Sequence, residues 1–321
     1  MSDVVAIYDV DSADLPNLAL MKIVRAELER GSTIRRYDPL FSASYDKIYA
    51  SKIFKFSEAS HLDPARMNIG GSGWRLNKTL PPEIEALPPD YSLYPRFTGN
   101  LGFTMRGCRR DCPFCVVREK EGVARPVATI ADLLVQDSDF LVLLDNDFFG
   151  VPQWRDRVAE IWRHDLTVNL SQGINVRNIT EEQARALGQL VNAAGGSRLT
   201  NLHRSRGQFH FAWDDPRDEP AVLAGIARLD EAGIARWRMS CYVLIGCNTS
   251  PVEDEHRVQV LRQLDIDPFV MPFNRRDQYQ ADFARWVNHK ATFHAVPRFA
   301  DYHRGVRYRG KQAAFEEPRL L

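Results

Sequence analysis

Hydrophobic and polar positions follow two periods along this chain. Residues 4–8 form a short apolar run bounded by acids and predict a buried strand. Leu18, Met21, Val24, Ala26 and Leu28 then recur at helical spacing across residues 17–30, and Gly31 stands where a helix end favours a left-handed residue. Residues 32–37 and 47–50 read as two more strands. This alternation predicts a small Rossmann- or flavodoxin-like α/β unit over residues 1–78. Pro81, Pro82, Pro88, Pro89 and Pro95 crowd residues 79–95, which excludes a regular helix or central strand and marks a linker. Beyond it, strands are predicted at 96–104, 140–144, 166–171, 208–212, 238–245 and 268–271. Helices are predicted at 130–135, 153–164, 181–191, 216–232 and 253–264. Thr180 before Glu181 and Glu182 is a helix N-cap with acids in the first turn, and Gly195, Gly196 and Gly233 mark helix exits. Strands and helices in this order are the count of a partial (β/α)6 TIM-type barrel over residues 96–275, with an extension at 276–321. Parallel barrel strands carry their chemistry on the loops after their C-terminal ends.

Composition narrows the class without naming it. A chain of 321 residues fits one large or two modest domains, and 44 % hydrophobic with 26 % charged residues is ordinary for a globular protein. Lysine plus arginine and aspartate plus glutamate both number 42, so net charge makes no case for nucleic acid or membrane binding. No apolar run approaches the ~20 residues of a membrane helix, and the first ten residues carry acids where a signal peptide would be basic. With five cysteines, three on one loop, a disulfide framework is not expected, and the reading is a cytoplasmic protein.

Those three are Cys108, Cys112 and Cys115, spaced C-x3-C-x2-C, with Phe114 just before the last. A closed structural zinc site needs four ligands. Three thiolates with one corner open suit a [4Fe–4S] cluster that keeps one iron for another molecule. The competing reading is a zinc loop completed by Cys241, Cys247 or His203.

The motif resembles that of the radical S-adenosylmethionine (radical SAM) superfamily. The resemblance implies that the open iron chelates the amino and carboxylate groups of S-adenosylmethionine. Reductive cleavage then yields methionine and a 5′-deoxyadenosyl radical that takes hydrogen from a substrate. It also implies an electron donor such as flavodoxin or ferredoxin, and it extends over about residues 95–275. Asp145, Asn146 and Asp147 follow the second strand, where members bind the methionine amino group with Gly-Gly-Glu. Gln172, Asn175 and Arg177 resemble a Gln-Gly-(Asp/Asn)-x-Arg segment; Arg177 would meet the cofactor carboxylate, with Gln172 and Asn175 on the substrate side. Asp214 ends the fourth strand, where ribose contacts are expected, although Asp214 and Asp215 precede Pro216 and equally suit a helix cap. Gly246 and Met271 would lie against the adenine.

The N-terminal unit resembles the cobalamin-binding-like domain found before some of these barrels. Its signature D-x-H-x-x-G falls on Asp9, Asp11 and Asp14, without the histidine or the glycine. The unit is therefore expected to be an accessory that carries no cobalamin through a histidine ligand. The glycine-rich stretch Gly70, Gly71, Ser72 and Gly73 reads as a tight turn before a phosphate cradle. Arg298, Arg304, Arg307, Arg309 and Lys311, interleaved with Phe299, Tyr302 and Tyr308, could follow nucleic acid, with a solvated terminus the plainer reading. A non-catalytic iron–sulfur or zinc binding protein on the same scaffold, or a nucleic-acid-modifying radical SAM enzyme, are the alternatives.

Overall fold

The computed structural model describes residues 2–11, 15–201 and 207–305, together with the backbone of 308–309 and 312–313. The chain forms two compact units, residues 1–144 and 145–321.

The first unit begins with β1 (Val4–Asp9), α1 (Leu18–Glu29), β2 (Thr33–Arg36), β3 (Lys47–Ser51) and β4 (Asn68–Gly70). These strands form a parallel sheet in the order β2-β1-β3-β4, with Ala6 opposite Arg35 and Ile48. Val5 and Ile7 pack with Leu20 and Val24 of α1, while Ala6 on the other face packs with Ile48, Ala50, Met67 and Ile69. Asn17 caps α1, accepting from the Leu20 amide at 3.2 Å while its own amide donates to Ser51 at 2.9 Å. Of the three crossovers only the first carries an α-helix. The second holds a 3-10 turn, Pro39–Ser44.

The proline-rich stretch contains one helical turn, α2 (Pro82–Glu85), against the expectation of none. Pro82 sits at the start of that turn, where its missing amide hydrogen costs nothing. The stretch is packed: Tyr94 is buried with Met21, Leu101, Phe140 and Val142. The unit continues with β5 (Asn100–Gly102), β6 (Met105–Arg106), α3 (Val117–Glu121), β7 (Arg125–Pro126) and β8 (Phe140–Leu143). β5 runs parallel to β8, Leu101 opposite Val142, and β6 pairs antiparallel with β7. The helix expected at 130–135 is only a 3-10 turn, Ala131–Leu133.

The second unit comprises α4 (Trp154–Arg163), β9 (Thr167–Leu170), α5 (Glu181–Val191), β10 (Phe209–Ala212), α6 (Glu219–Glu231), β11 (Met239–Ile245), α7 (Pro251–Gln263) and β12 (Asp267–Pro272). α8 (Gln278–Asn288), α9 (Lys290–Ala295) and the strand pair β13 (Tyr308–Arg309) and β14 (Gln312–Ala313) follow. Capping boxes fix the starts of α5 (Thr180 with Gln183) and α7 (Ser250 with Glu253).

β10, β11 and β12 form a parallel sheet in which Phe211, Cys241 and Pro268 stand in register, as do Ala212, Tyr242 and Phe269. Phe209, Phe211, Met239, Cys241, Val243, Ile245 and Val270 share one face and are buried, with α7 packed on β11 and β12. His210, Ser240, Tyr242, Phe269 and Met271 share the other face and keep some exposure. The architecture is mixed α/β with parallel sheets. Among the described residues no helix is long and apolar enough to cross a membrane.

Candidate active site

The cysteine loop hangs from the β6–β7 ribbon of the first unit. Gly107 has φ +77°, and a Cβ there would lie 2.3 Å from the Val123 carbonyl oxygen, so only glycine lets the loop leave the ribbon this closely. The Cys108 amide donates to Gly122 at 3.3 Å, and Arg118 of α3 donates to the Cys108 carbonyl at 3.0 Å. The Cys115 amide donates to the Cys112 carbonyl at 3.0 Å, which closes a turn over Pro113 and Phe114. Arg110 lies between two sulfurs: its backbone amide donates to Cys108 Sγ at 3.4 Å and its Nε to Cys112 Sγ at 3.5 Å. Cys108, Cys112 and Phe114 are half-buried and Cys115 is exposed.

Among the described residues, no group of three or more histidine, cysteine, aspartate or glutamate side chains is placed to hold a single metal ion. The fit of the loop to a [4Fe–4S] cluster is therefore one of donor chemistry. It carries three sulfurs with no fourth cysteine on the loop, and N–H donors reach two of them. Hydrogen bonds to ligand sulfurs are one of the means by which a protein sets the potential of such a cluster. The zinc alternative finds little in Cys241, which is fully buried and whose thiol burial pushes well above its usual range. His203 lies outside the described residues.

In the second unit the expected cofactor residues fall into two groups. Gly246 follows β11, and Leu244 stands in register with Met271 of β12, so Asp214, Gly246 and Met271 come together at the C-terminal end of the sheet. Asp214 accepts from the Leu244 amide at 3.2 Å. Asp215 is the cap of the next turn and pairs with Arg217. Gly246 has φ +72°, its amide donates to Thr249 Oγ1 at 3.0 Å, and a Cβ would lie 2.2 Å from Gln280 Nε2. The fold thus needs glycine here whether or not an adenine approaches, and a β-branched residue would be rejected by the backbone itself.

Beneath this end lies a network that sequence reasoning missed. Arg257 and Asp254, both with side chains 0 % exposed, pair at 2.5 Å. Arg257 Nη1 also donates to the carbonyls of Trp213, Asp214 and Leu244, each at 3.0 Å. Asp254 accepts from Thr249 at 2.7 Å and from Tyr279 at 3.2 Å. One guanidinium thus ties the ends of β10 and β11 to the loop carrying Gly246. The sequence signal was faint, since an i, i+3 Asp–Arg pair on a helix ordinarily marks a solvated face.

The other expected residues are engaged elsewhere. Asp145 and Asp147 are buried, Asp145 beside the buried Arg157, and only Asn146 of that trio keeps some exposure. Arg177 pairs with Asp218 at 2.5 Å and donates to Asn175 Oδ1 at 3.4 Å, so its guanidinium already has a carboxylate. Gln172 is exposed and its Nε2 donates to Ser171 Oγ at 3.5 Å.

The loop holding these residues is tied to β10, with the Ile174 amide donating to His210 O at 2.9 Å. Asn175 Nδ2 and His210 Nε2 are buried without a hydrogen-bond partner among the described residues. His210 packs against Tyr242 with the rings tilted by 35° and centroids 4.5 Å apart, and Tyr242 against Phe269 at 5.4 Å and 60°. Burial lowers the His210 pKa, opposed by a hydrogen bond with the Ser171 backbone. That bond engages Nδ1, since Nε2 has no partner among the described residues, and leaves a lone pair on Nε2.

At the cobalamin-signature position, Asp11 accepts from the Ile53 amide and from Ser57, so it binds the loop after β3. Asp9 accepts from Tyr94 at 2.7 Å. Asp14 lies outside the described residues. Of the basic tail, Arg298 pairs with Asp301 and Arg304 with Asp282, while the side chains of Arg307, Arg309 and Lys311 lie outside the described residues. No family model matches the chain, and no curated protein matches it.

Proposed function

We propose that this chain is a radical SAM enzyme built on a partial (β/α)6 barrel, acting by hydrogen abstraction on a substrate its residues do not identify. The observation that carries the reading is the C-x3-C-x2-C loop after β6, with Arg110 donating to two of its sulfurs. When bound, the cluster and S-adenosylmethionine supply reductive cleavage of the sulfonium and removal of a hydrogen atom from substrate.

In this reading Cys108, Cys112 and Cys115 hold the cluster, and Arg110 tunes it through its N–H···S bonds. Phe114 shields the sulfurs from water. Asn146, Asp214, Gly246 and Met271 offer polar and backbone contacts to the cofactor, and Arg257 holds the strand ends that carry two of them. His210 holds a neutral ring nitrogen, its Nε2, buried beside the loop of Asn175. The electron comes from a flavodoxin- or ferredoxin-type donor, as one-electron chemistry at such a cluster requires.

Anaerobic incubation of the reconstituted protein with S-adenosylmethionine and dithionite is expected to yield 5′-deoxyadenosine and methionine. The C108A/C112A/C115A protein should give neither. A folded, iron-loaded wild type that leaves S-adenosylmethionine intact would refute the proposal.

A further inference from the structure

A cavity of about 1140 Å³ opens within the first unit, walled by α1, the ends of β3 and β4, the proline-rich stretch and α3. Its charged lining is unevenly matched. Glu85 is paired with Lys22 and Arg106, and Arg106 also holds Glu121. Lys78 and Lys120 are different, because among the described residues neither lies within salt-bridge distance of a carboxylate. Lys120, half-buried on α3, donates to Ser72 Oγ at 2.6 Å. Lys78 donates to Ile69 O at 2.8 Å and to the Asn68 side chain. Both ammonium groups therefore sit on oxygens of one short segment, residues 68–72, at the rim of one cavity.

An ammonium carries three donors, so these bonds leave two on Lys120 and one on Lys78. Burial lowers the pKa of both, with Glu121 working against it at Lys120 and Arg75 adding to it at Lys78. Lys120 is the partly desolvated one, a cost that Glu121 and Glu85 offset in part and that an anion in the cavity would offset further. Lys78 is exposed and adds a second positive charge. The segment between them is not itself a cradle. A Cβ on Gly71 would lie 2.2 Å from Lys52 O and one on Gly73 2.4 Å from Phe54 C, so those glycines serve the packing of the turn on the chain after β3. The remaining wall mixes apolar residues, among them Leu18, Leu80, Leu101 and Phe103, with the charged Arg30, Glu83, Arg125 and Asp132. The volume exceeds what a bare oxyanion fills and suits a small organic molecule.

We infer that this cavity binds a phosphorylated small molecule, its phosphate held between Lys78 and Lys120 and its body against the proline-rich wall. Compact ammonium charges suit phosphate, whereas planar carboxylate recognition favours the guanidinium fork. The site lies in the first unit and is independent of the radical reading.

The test titrates the full-length protein by calorimetry with inorganic phosphate, pyrophosphate and succinate, each at ionic strength matched with sodium chloride. Saturable binding of pyrophosphate is expected, tighter than phosphate and succinate. It should weaken roughly tenfold in Lys120→Met and disappear in the Lys78→Met/Lys120→Met protein. Lys120→Arg, which keeps the charge, should retain most of it, which separates lost charge from lost folding. The C108A/C112A/C115A protein should bind as wild type does, so failure here and failure of the radical proposal are separate outcomes. No saturable binding of pyrophosphate, equal binding in the double variant, or preference for succinate would each overturn the inference.

Discussion

His210 shows how one side chain can be set for a role by its neighbours alone. The Ser171 backbone takes one ring nitrogen and Tyr242 packs against the ring, while burial keeps it neutral. Because its folded pKa is lowered, the unfolded chain binds a proton that the folded ring resists. The linked stability is thus fully present above the ordinary value of 6.5 and falls as the pH drops below it. Nitrogen-15 spectra of the ring should show the Nδ1–H tautomer with an apparent pKa under 6.5. The His210→Phe protein should lose less stability than wild type on moving from neutral to mildly acidic pH. A ring that titrates above 6.5, or two parallel stability profiles, would contradict this assignment. The sequence placed His210 on a strand but gave no hint of this environment, because the Ser171 backbone reaches it from another strand's end.

At the scale of elements, the second unit was well legible. The predicted helix 181–191 is α5, and the strand expected at 238–245 is β11 with its first residue in a turn. Helical spacing and a good cap leave little choice there, since Thr180 and Gln183 complete the box. One source of failure is short segments whose shape depends on partners far along the chain. β4 is three residues long and forms because Met67 and Ile69 close the core over Ile48 and Ala50. α8 and α9 went unread although Trp286 and Phe293 pack edge to face, since aromatic spacing near a polar chain end resembles an irregular tail. The turns after α4 and α7 use Asp165 and Asp265 at positive φ where a glycine signal would have been sought.

The Arg257 network belongs to this scale as well, because it joins elements. Arg257→Met leaves Asp254 buried without its partner and should destabilise by about 3–5 kcal/mol. The Arg257→Met/Asp254→Leu pair should recover much of the loss, since both charges are then gone. Chemical denaturation of the single and double variants measures the coupling. A single-variant loss under about 1 kcal/mol would mean that the pair does not hold the strand ends.

For the whole molecule, periodicity predicts the kinds of elements and the mixed α/β class with parallel sheets. β5 and β8, read as the first two strands of a barrel, pair with each other in a sheet separate from β2-β1-β3-β4, and β10, β11 and β12, read as the last three, form a parallel sheet. Local pattern says what a segment is and not which segments gather with it, because grouping is decided by contacts distant in sequence. The candidate site divides similarly. The cysteine spacing was legible because three soft donors on one loop have few other uses. The roles expected of Arg177, Asp145 and Asp147 were less so, because Asp218 and Arg157 stand beside them in space but not in sequence.

The central claim is that the cysteine loop carries a redox cluster with an open iron. It is tested most directly by electron paramagnetic resonance of the anaerobically reconstituted, dithionite-reduced protein, with iron, sulfide and zinc counted on the same sample. Iron and sulfide at a [4Fe–4S] stoichiometry are expected, with a reduced-cluster signal that changes when S-adenosylmethionine is added and is absent from the C108A/C112A/C115A protein. Stoichiometric zinc with no iron, or a cluster signal indifferent to S-adenosylmethionine, would contradict it.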